Sequence, residues 1–213
     1  MDVNDIVGAG PATLGRLLRD GAVSSRELTI ATLAAVERED ARVNAVVELL
    51  SDEAFDAAAE ADRRRADGED GPLLGVPVAV KNDIDVEGRV TARGSRAITR
   101  RAAVDGDLVT ALLRAGAVPV ATTTLPELAI YGFTESAATG ITRNPHHLDH
   151  TCGGSSGGSA AIVASGAIGV ATASDGAGSI RIPARAAGWS GSSRRTGSPR
   201  APAAGTACRP RAA

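Results

Sequence analysis

The chain has 213 residues, of which 43% are hydrophobic and 2% aromatic, and its net charge is −2. This length suits one domain with a substantial core. Two cysteines, Cys152 and Cys208, are too few for a disulfide framework, and no apolar stretch approaches the ~20 residues of a membrane helix. We therefore expect a cytoplasmic protein that does not enter a membrane.

Short helices and strands alternate along the first 184 residues. The first predicted helix begins at Pro11 and ends before Gly21, and residues 24–27 form a capping box that starts the second. The other predicted helices begin at residue 51 and span 108–115 and 159–165, and the predicted strands span 43–49, 76–81, 118–122 and 167–172. This alternation predicts an α/β fold in which helices cover a sheet.

One lysine, Lys81, occurs beside 22 arginines. Arginine stays protonated in proteins, whereas a buried lysine can lose its proton and act as a base. Because Lys81 ends the predicted strand 76–81, it is a candidate for a role that arginine cannot fill.

Two serines, Ser155 and Ser179, lie in separate glycine-rich turns on either side of a predicted helix and strand. A serine hydroxyl becomes a good nucleophile when a neighbouring base takes its proton. Two serines and one lysine are therefore the parts of a Ser-Ser-Lys hydrolase. A structural glycine-rich connection is the alternative, and a phosphate-binding loop is disfavoured because its lysine-containing pattern is absent.

The second turn can also bind a developing negative charge. Its successive N–H groups can converge on the oxygen of a tetrahedral intermediate, and glycine lets the backbone approach a substrate closely. The predicted oxyanion hole consists of Gly176, Ala177, Gly178 and Ser179.

Three histidines, His146, His147 and His150, surround Asp149 and raise the question of a metal site. Two of them are adjacent rather than spaced as on one face of a helix, so the spacing is weak evidence for metal binding. We expect no metal and no cofactor.

Three segments together resemble the amidase signature family: residues 75–82, 153–161 and 174–184. Their order and spacing fit, including the 24 positions that separate the two serines. The resemblance runs from about residue 6 to residue 184. It implies the N-terminal part of an amidase domain, built as a mixed β-sheet flanked by helices and here truncated.

The resemblance also implies roles for individual residues. Lys81 is then the general base, Ser155 the bridging serine on a cis peptide bond, and Ser179 the nucleophile that forms an acyl-enzyme. Ser174 has a supporting role. Asp175 either orients the turn or caps the following helix.

Residues 185–213 depart from the family pattern. They carry six arginines, no acidic residue and no aliphatic side chain larger than alanine. Such a segment buries too little apolar surface to offset its ordering entropy, so we expect disorder. Residues 188–194 can be encoded by a string that, read one base over, gives Val-Val-Gly-Leu-Lys-Pro as in the family. Our hypothesis is therefore that residues 185–213 are an out-of-frame tail.

The expected function is hydrolysis of a small-molecule carboxamide to a carboxylic acid and ammonia, although a truncated chain need not be active. One alternative is the ammonia-generating subunit of a tRNA amidotransferase, in which Arg181 would normally be followed by Gln-Pro rather than Ile182. Another is a non-catalytic fragment. We expect no nucleic-acid partner, since the basic tail would be accidental, and a homodimer in the full-length form.

Overall fold

The computed structural model describes residues 2–192 and, for the backbone alone, Thr206–Pro210. The elements in chain order are α1 (Pro11–Arg19), α2 (Ser25–Val43), β1 (Val46–Leu49), α3 (Ser51–Ala66), β2 (Pro77–Lys81), α4 (Asp107–Arg114), β3 (Val118–Thr123), β4 (Glu135–Ser136), β5 (Gly140–Ile141), β6 (Arg143–Asn144), β7 (His147–Thr151), α5 (Gly157–Ala164), α6 (Arg181–Ala186), β8 (Trp189–Ser192) and β9 (Thr206–Pro210). Short 3₁₀ turns occupy Val3–Asp5 and Glu127–Ala129.

The central sheet has three strands in the order β1–β3–β2. β1 runs antiparallel to β3, whereas β2 runs parallel to it, so the sheet is mixed. Every residue of β2 and β3 is buried, as expected for strands covered on both faces. α3 contacts β3, and α5 contacts β2 and α2. The predicted α/β class, with helices flanking a mixed sheet, is confirmed.

The second helix begins as predicted and extends into the first residue of the predicted strand 43–49. Glu27 N donates to Ser24 Oγ at 3.1 Å and Ser24 N donates to Glu27 Oε2 at 2.9 Å, which completes the capping box. The helix continues to Val43, where the sequence suggested a strand, and Asn44 ends it with φ 51°. Asparagine tolerates this left-handed conformation, so β1 starts only at Val46.

The predicted strand 167–172 is wrong as a strand. Ala171 forms one isolated parallel bridge with Ala79 beside β2. Ala79 N donates to Val170 O at 3.1 Å and Thr172 N donates to Ala79 O at 2.8 Å. The ladder stops there because the next donor, Lys81 N, bonds the side-chain Oγ1 of Thr172 at 2.8 Å instead of a carbonyl.

The segment after residue 184 is ordered at its start, which corrects the prediction of disorder for residues 185–192. The predicted boundary at residue 184 falls inside α6, and β8 follows. Ala187 and Trp189 are buried in the main core and hold this stretch in place. β8 pairs antiparallel with β9. Residues 193–205 and 211–213 lie outside the described residues, so disorder there stays a prediction. The reading-frame hypothesis for residues 185–213 stays a prediction over its whole range.

The main core joins the inner faces of α1, α2, α3 and α5 to the sheet. The helix α5 begins with five small residues and is buried from Gly157 to Val163. Over residues 2–192 and 206–210, no helix has the length and apolar character that crossing a bilayer requires.

Gly158→Ala should destabilise the fold, because α5 packs its backbone directly against β3 and its neighbours. A Cβ at residue 158 would lie 2.5 Å from Thr124 N and 2.6 Å from Ala45 O, and neither backbone atom can move easily. Overpacking of this kind typically costs about 1–3 kcal/mol, and we expect the upper end in urea unfolding.

Gly15→Ala is the matched control for that substitution. Gly15 also lies in a helix, but its added Cβ would meet only Arg19 Nη1 at 3.6 Å and Pro72 O at 3.7 Å. Alanine should therefore leave the free energy of unfolding unchanged or raise it by about 0.5–1 kcal/mol. Equal destabilisation by the two substitutions would contradict the packing argument.

Candidate active site

The amino group of Lys81 lies at the end of β2 with no exposure to solvent. Its Nζ donates to Ser155 Oγ at 2.9 Å and to Ser174 Oγ at 2.7 Å. The carboxylate atom Asp83 Oδ2 lies 3.1 Å from the same nitrogen. Three oxygen atoms from three separate segments of the chain therefore surround one buried amine.

Burial lowers the pKa of Lys81 below its ordinary value of 10.5, because the charged form loses its hydration. The neighbouring carboxylate of Asp83 opposes this effect, and the charge of Asp175 opposes it more weakly. Because burial has the larger effect, a greater fraction of Lys81 is neutral at a given pH than of an exposed lysine. A neutral amine is what a general base requires.

Ser155 is buried, and its peptide bond to Gly154 is cis, as the resemblance implied. A Cβ on Gly154 would lie 2.6 Å from the carbonyl oxygen of Phe133, so the chain before Ser155 passes too close to that backbone for any side chain. After Ser155, α5 begins at Gly157. The serine is thus fixed between a close backbone contact and a buried helix.

The second glycine-rich turn is joined to the first through Ser156. Ser156 N donates to Ser179 O at 3.2 Å, and Ser174 N donates to Ser156 Oγ at 3.4 Å. Ser179 is half-buried. The structure therefore brings Lys81, Ser155 and Ser174 into direct contact and holds Ser179 beside them through its backbone. Within the part of the chain that the structure describes, the hydroxyls of Ser155 and Ser179 are not hydrogen-bonded to each other.

Asp175 organises the turn that carries Ser179. Its side chain accepts hydrogen bonds from Gly178 N at 2.6 Å, Ile180 N at 3.3 Å and Arg181 N at 3.4 Å. The Arg181 guanidinium contacts both carboxylate oxygens, at 3.0 and 3.1 Å. This guanidinium, followed by the backbone N–H groups, holds the pKa of Asp175 well below its usual range, although burial acts in the opposite direction.

The four N–H groups of the predicted oxyanion hole differ in whether they already have a hydrogen-bond partner. The Gly178 N–H is occupied by Asp175. The N–H groups of Gly176, Ala177 and Ser179 have no hydrogen-bond partner among residues 2–192, and Gly176 and Ala177 are exposed. Three of the four donors are therefore available to a ligand in this structure.

Asp83 and Thr172 contact Lys81 but are not among the site residues predicted from the sequence. Asp83 was overlooked because it follows the strand that ends at Lys81, and strand periodicity does not extend into a turn. Thr172 was placed in a strand, where its side chain had no assigned partner. The short separation of Asp83 from the only lysine was a usable signal, whereas the contact of Thr172 with Lys81 spans 91 positions and was not visible.

The histidine cluster shows no metal-binding geometry. The rings of His147 and His150 stack with their centroids 3.9 Å apart, and His146 Nε2 lies 3.1 Å from Ala187 O. In the described ranges no group of three or more His, Cys, Asp or Glu side chains is placed to hold a metal. Cys152 is buried, and this burial raises the pKa of its thiol to about 12. The absence of a cofactor stays a prediction.

Thr172→Val should lower the free energy of unfolding, although it changes the side-chain volume little. Valine removes the hydroxyl that accepts the buried Lys81 N–H, and an unsatisfied buried donor costs about 1–3 kcal/mol. Thr172→Ser keeps the acceptor and is the control in chemical unfolding. If Thr172→Ser lowers the free energy of unfolding as much as Thr172→Val does, loss of this hydrogen bond is not the cause.

The family model described as Amidase matches residues 27–193. A putative amidase, AmiB2, from Mycobacterium tuberculosis is 49% identical over 184 residues, covering 86% of this chain and 40% of the relative. A glutamyl-tRNA(Gln) amidotransferase subunit from Pseudomonas fluorescens is 43% identical over 174 residues, covering 81% of this chain and 36% of that relative.

A solved structure of the native peptide amidase from Stenotrophomonas maltophilia superposes with a TM-score of 0.80. It is 37% identical, and the match covers 85% of this chain and 39% of that protein. The chain thus spans about 40% of the length of the curated relatives it matches.

Proposed function

Because the chain belongs to the amidase signature family, we propose that its site hydrolyses carboxamides to carboxylic acids and ammonia. The observation that carries this proposal is the buried Lys81 amine within hydrogen-bond distance of the Ser155 hydroxyl. Desolvation favours its neutral form, and a neutral amine can accept a serine proton. The similarity to a protein called putative amidase AmiB2 supports the reaction class.

In the proposed acylation step, neutral Lys81 takes the proton of Ser155 Oγ while Ser155 takes the proton of Ser179 Oγ. Ser179 Oγ bonds to the amide carbon, and the carbonyl π electrons move onto oxygen. When the C–N bond breaks, the proton held by Lys81 passes through Ser155 to the leaving nitrogen, which departs as ammonia. An ester between the acyl group and Ser179 remains.

In the deacylation step, water replaces ammonia as the nucleophile. Lys81 draws a proton from water through Ser155, and the resulting hydroxide bonds to the ester carbon. The bond to Ser179 Oγ breaks, the proton returns to that oxygen, and the carboxylic acid leaves. Each half-reaction therefore returns Lys81 to its neutral form.

The N–H groups of Gly176, Ala177 and Ser179 are the proposed donors to the oxyanion. We assign the fourth predicted donor, Gly178, to the turn itself, because its N–H is held by Asp175. Preorganised donors of this kind are typically worth about 2.7–4 kcal/mol each when one is removed. Ser174 and Asp175 are supporting residues, one beside the amine and the other beneath the turn.

The proton path requires the hydroxyls of Ser155 and Ser179 to come into contact once substrate is bound. Catalytic hydrogen bonds are often long in unliganded sites and shorten in the complex with substrate. Ser156 keeps the two turns adjacent through its hydrogen bond to Ser179 O, which supports a contact of this kind.

An ammonia assay tests this function. The 213-residue chain, and a chimera in which residues 1–184 replace the matching part of AmiB2, are incubated with acetamide, benzamide and glutamine. Ser179→Ala in each protein is the control. Ammonia from either simple amide that depends on Ser179 supports the proposal, and activity of the chimera alone means that the site needs the remainder of the domain.

Two results of the same assay would point elsewhere. Ammonia from glutamine alone, increased by aminoacyl-tRNA and the other amidotransferase components, would favour the amidotransferase alternative, which the 43% identity to the Pseudomonas fluorescens protein motivates. No Ser179-dependent ammonia from either protein would leave the non-catalytic alternative.

We also infer a cytoplasmic location, a homodimer in the full-length form, and no nucleic-acid partner. The basic segment that would attract nucleic acid lies mostly outside the described residues. Sedimentation of the chimera and a gel-shift assay with the 213-residue chain test the last two inferences.

A further inference from the structure

The carboxylate of Asp83 lies beside both the Lys81 amine and the Ser174 hydroxyl. Asp83 Oδ2 lies 3.1 Å from Lys81 Nζ and accepts a hydrogen bond from Ser174 Oγ at 2.7 Å. The other oxygen, Oδ1, is buried and has no hydrogen-bond partner in residues 2–192. A partly buried carboxylate with one buried, unpaired oxygen is costly, so the contact with Lys81 Nζ and the hydrogen bond from Ser174 must hold it there.

Ser174 completes a closed triangle with these two charged groups. Its hydroxyl accepts from Lys81 Nζ at 2.7 Å and donates its own proton to Asp83. Both hydrogen bonds together fix the direction of the lysine side chain. The remaining contact of the amine is then directed at Ser155 Oγ, 2.9 Å away.

The charge of Asp83 matters at one stage of the reaction. In the resting site the proposed base is neutral, and when it takes the Ser155 proton a positive charge forms in a place without solvent. An adjacent carboxylate stabilises that charge, as the buried aspartate of a serine protease stabilises its imidazolium. Asp175 is the other acid that acts on Lys81, and it is already engaged by Arg181.

We propose that Asp83 is a positioning residue, which holds the Lys81 amine toward Ser155 through Ser174 and stabilises the positive charge that Lys81 acquires. The reaction stage at which this matters rests on the proposed function. The electrostatic effect itself does not, because it belongs to the unliganded chain.

The single lysine allows a direct test. Growth with [¹³C]lysine gives one labelled side chain, whose ¹³Cε shift follows protonation of Lys81 over a pH titration of the 213-residue chain. Asp83→Asn and Asp83→Leu both remove the charge. In either variant the Lys81 midpoint should fall by about one pH unit or more, since an opposite charge at this distance shifts a pKa by ~1–3 units. Asp85→Asn, which removes a carboxylate from the same loop, should leave the midpoint unchanged.

The outcomes separate the charge effect from a structural role. A Lys81 midpoint that stays at the parent value in a folded Asp83 variant overturns the proposal, and so does a shift of equal size in Asp85→Asn. If both Asp83 variants fail to fold, Asp83 is structural and the proposal is wrong. Because no turnover is measured, an inactive chain leaves this test valid, and an unshifted midpoint leaves the amide assay valid.

Discussion

Ser179→Ala should abolish covalent labelling of the protein by a fluorophosphonate, and peptide mapping of the parent should place the adduct on Ser179. The phosphonyl group bonds to the attacking oxygen, so removal of that oxygen leaves nothing to label. The chimera with AmiB2 is the protein to use, with the 213-residue chain in parallel.

Two other serine variants distinguish the nucleophile from a proton carrier and from a serine outside the site. Ser155→Ala should slow labelling by roughly 10²–10⁴-fold without eliminating it, because Ser155 carries a proton rather than attacking. Ser165→Ala, at the end of α5, should label like the parent. An adduct on Ser155 or Ser156 would reverse the assigned roles.

Lys81→Arg should abolish both labelling and ammonia release while the secondary structure is kept. Arginine carries a positive charge beside Asp83 and cannot accept a proton at working pH. General-base catalysis contributes about 10²–10⁴-fold, and a loss at least this large is expected.

Lys81→Met separates loss of the base from damage by the larger guanidinium. Methionine has a similar length, no charge and no proton acceptor of comparable strength, so it should be equally inactive. It leaves Asp83 without the amine that it contacts, and some loss of stability is expected with it. Activity within a few-fold of the parent in either folded variant would remove Lys81 from the role of base.

Local patterns in the sequence were sufficient for several parts of this structure. The capping box of α2 is a short-range feature, and the glycines around Ser155 mark a backbone that passes close to its neighbours. The unusual ratio of one lysine to 22 arginines identified Lys81. Each of these signals is contained within a few residues or in the composition.

Other parts depend on partners that are distant along the chain. The segment 167–172 has the composition of a strand, but Thr172 places a hydroxyl where the ladder needs a carbonyl. Asp175 was expected to support its turn, yet its use of the Gly178 N–H follows from the three-dimensional path of the turn. Burial of Trp189 likewise depends on the core formed by earlier elements.

Because the only lysine is buried, cleavage of the chain at that residue can report transient opening of the sheet. A lysine-specific protease has one place to cut, after Lys81, and that bond lies in a fully buried strand. Cleavage therefore requires the sheet to open, and when opening and closing are fast its rate follows the population of the open form. A bound amide that favours the closed site would lower the rate in proportion, which allows ligands to be screened by digestion alone.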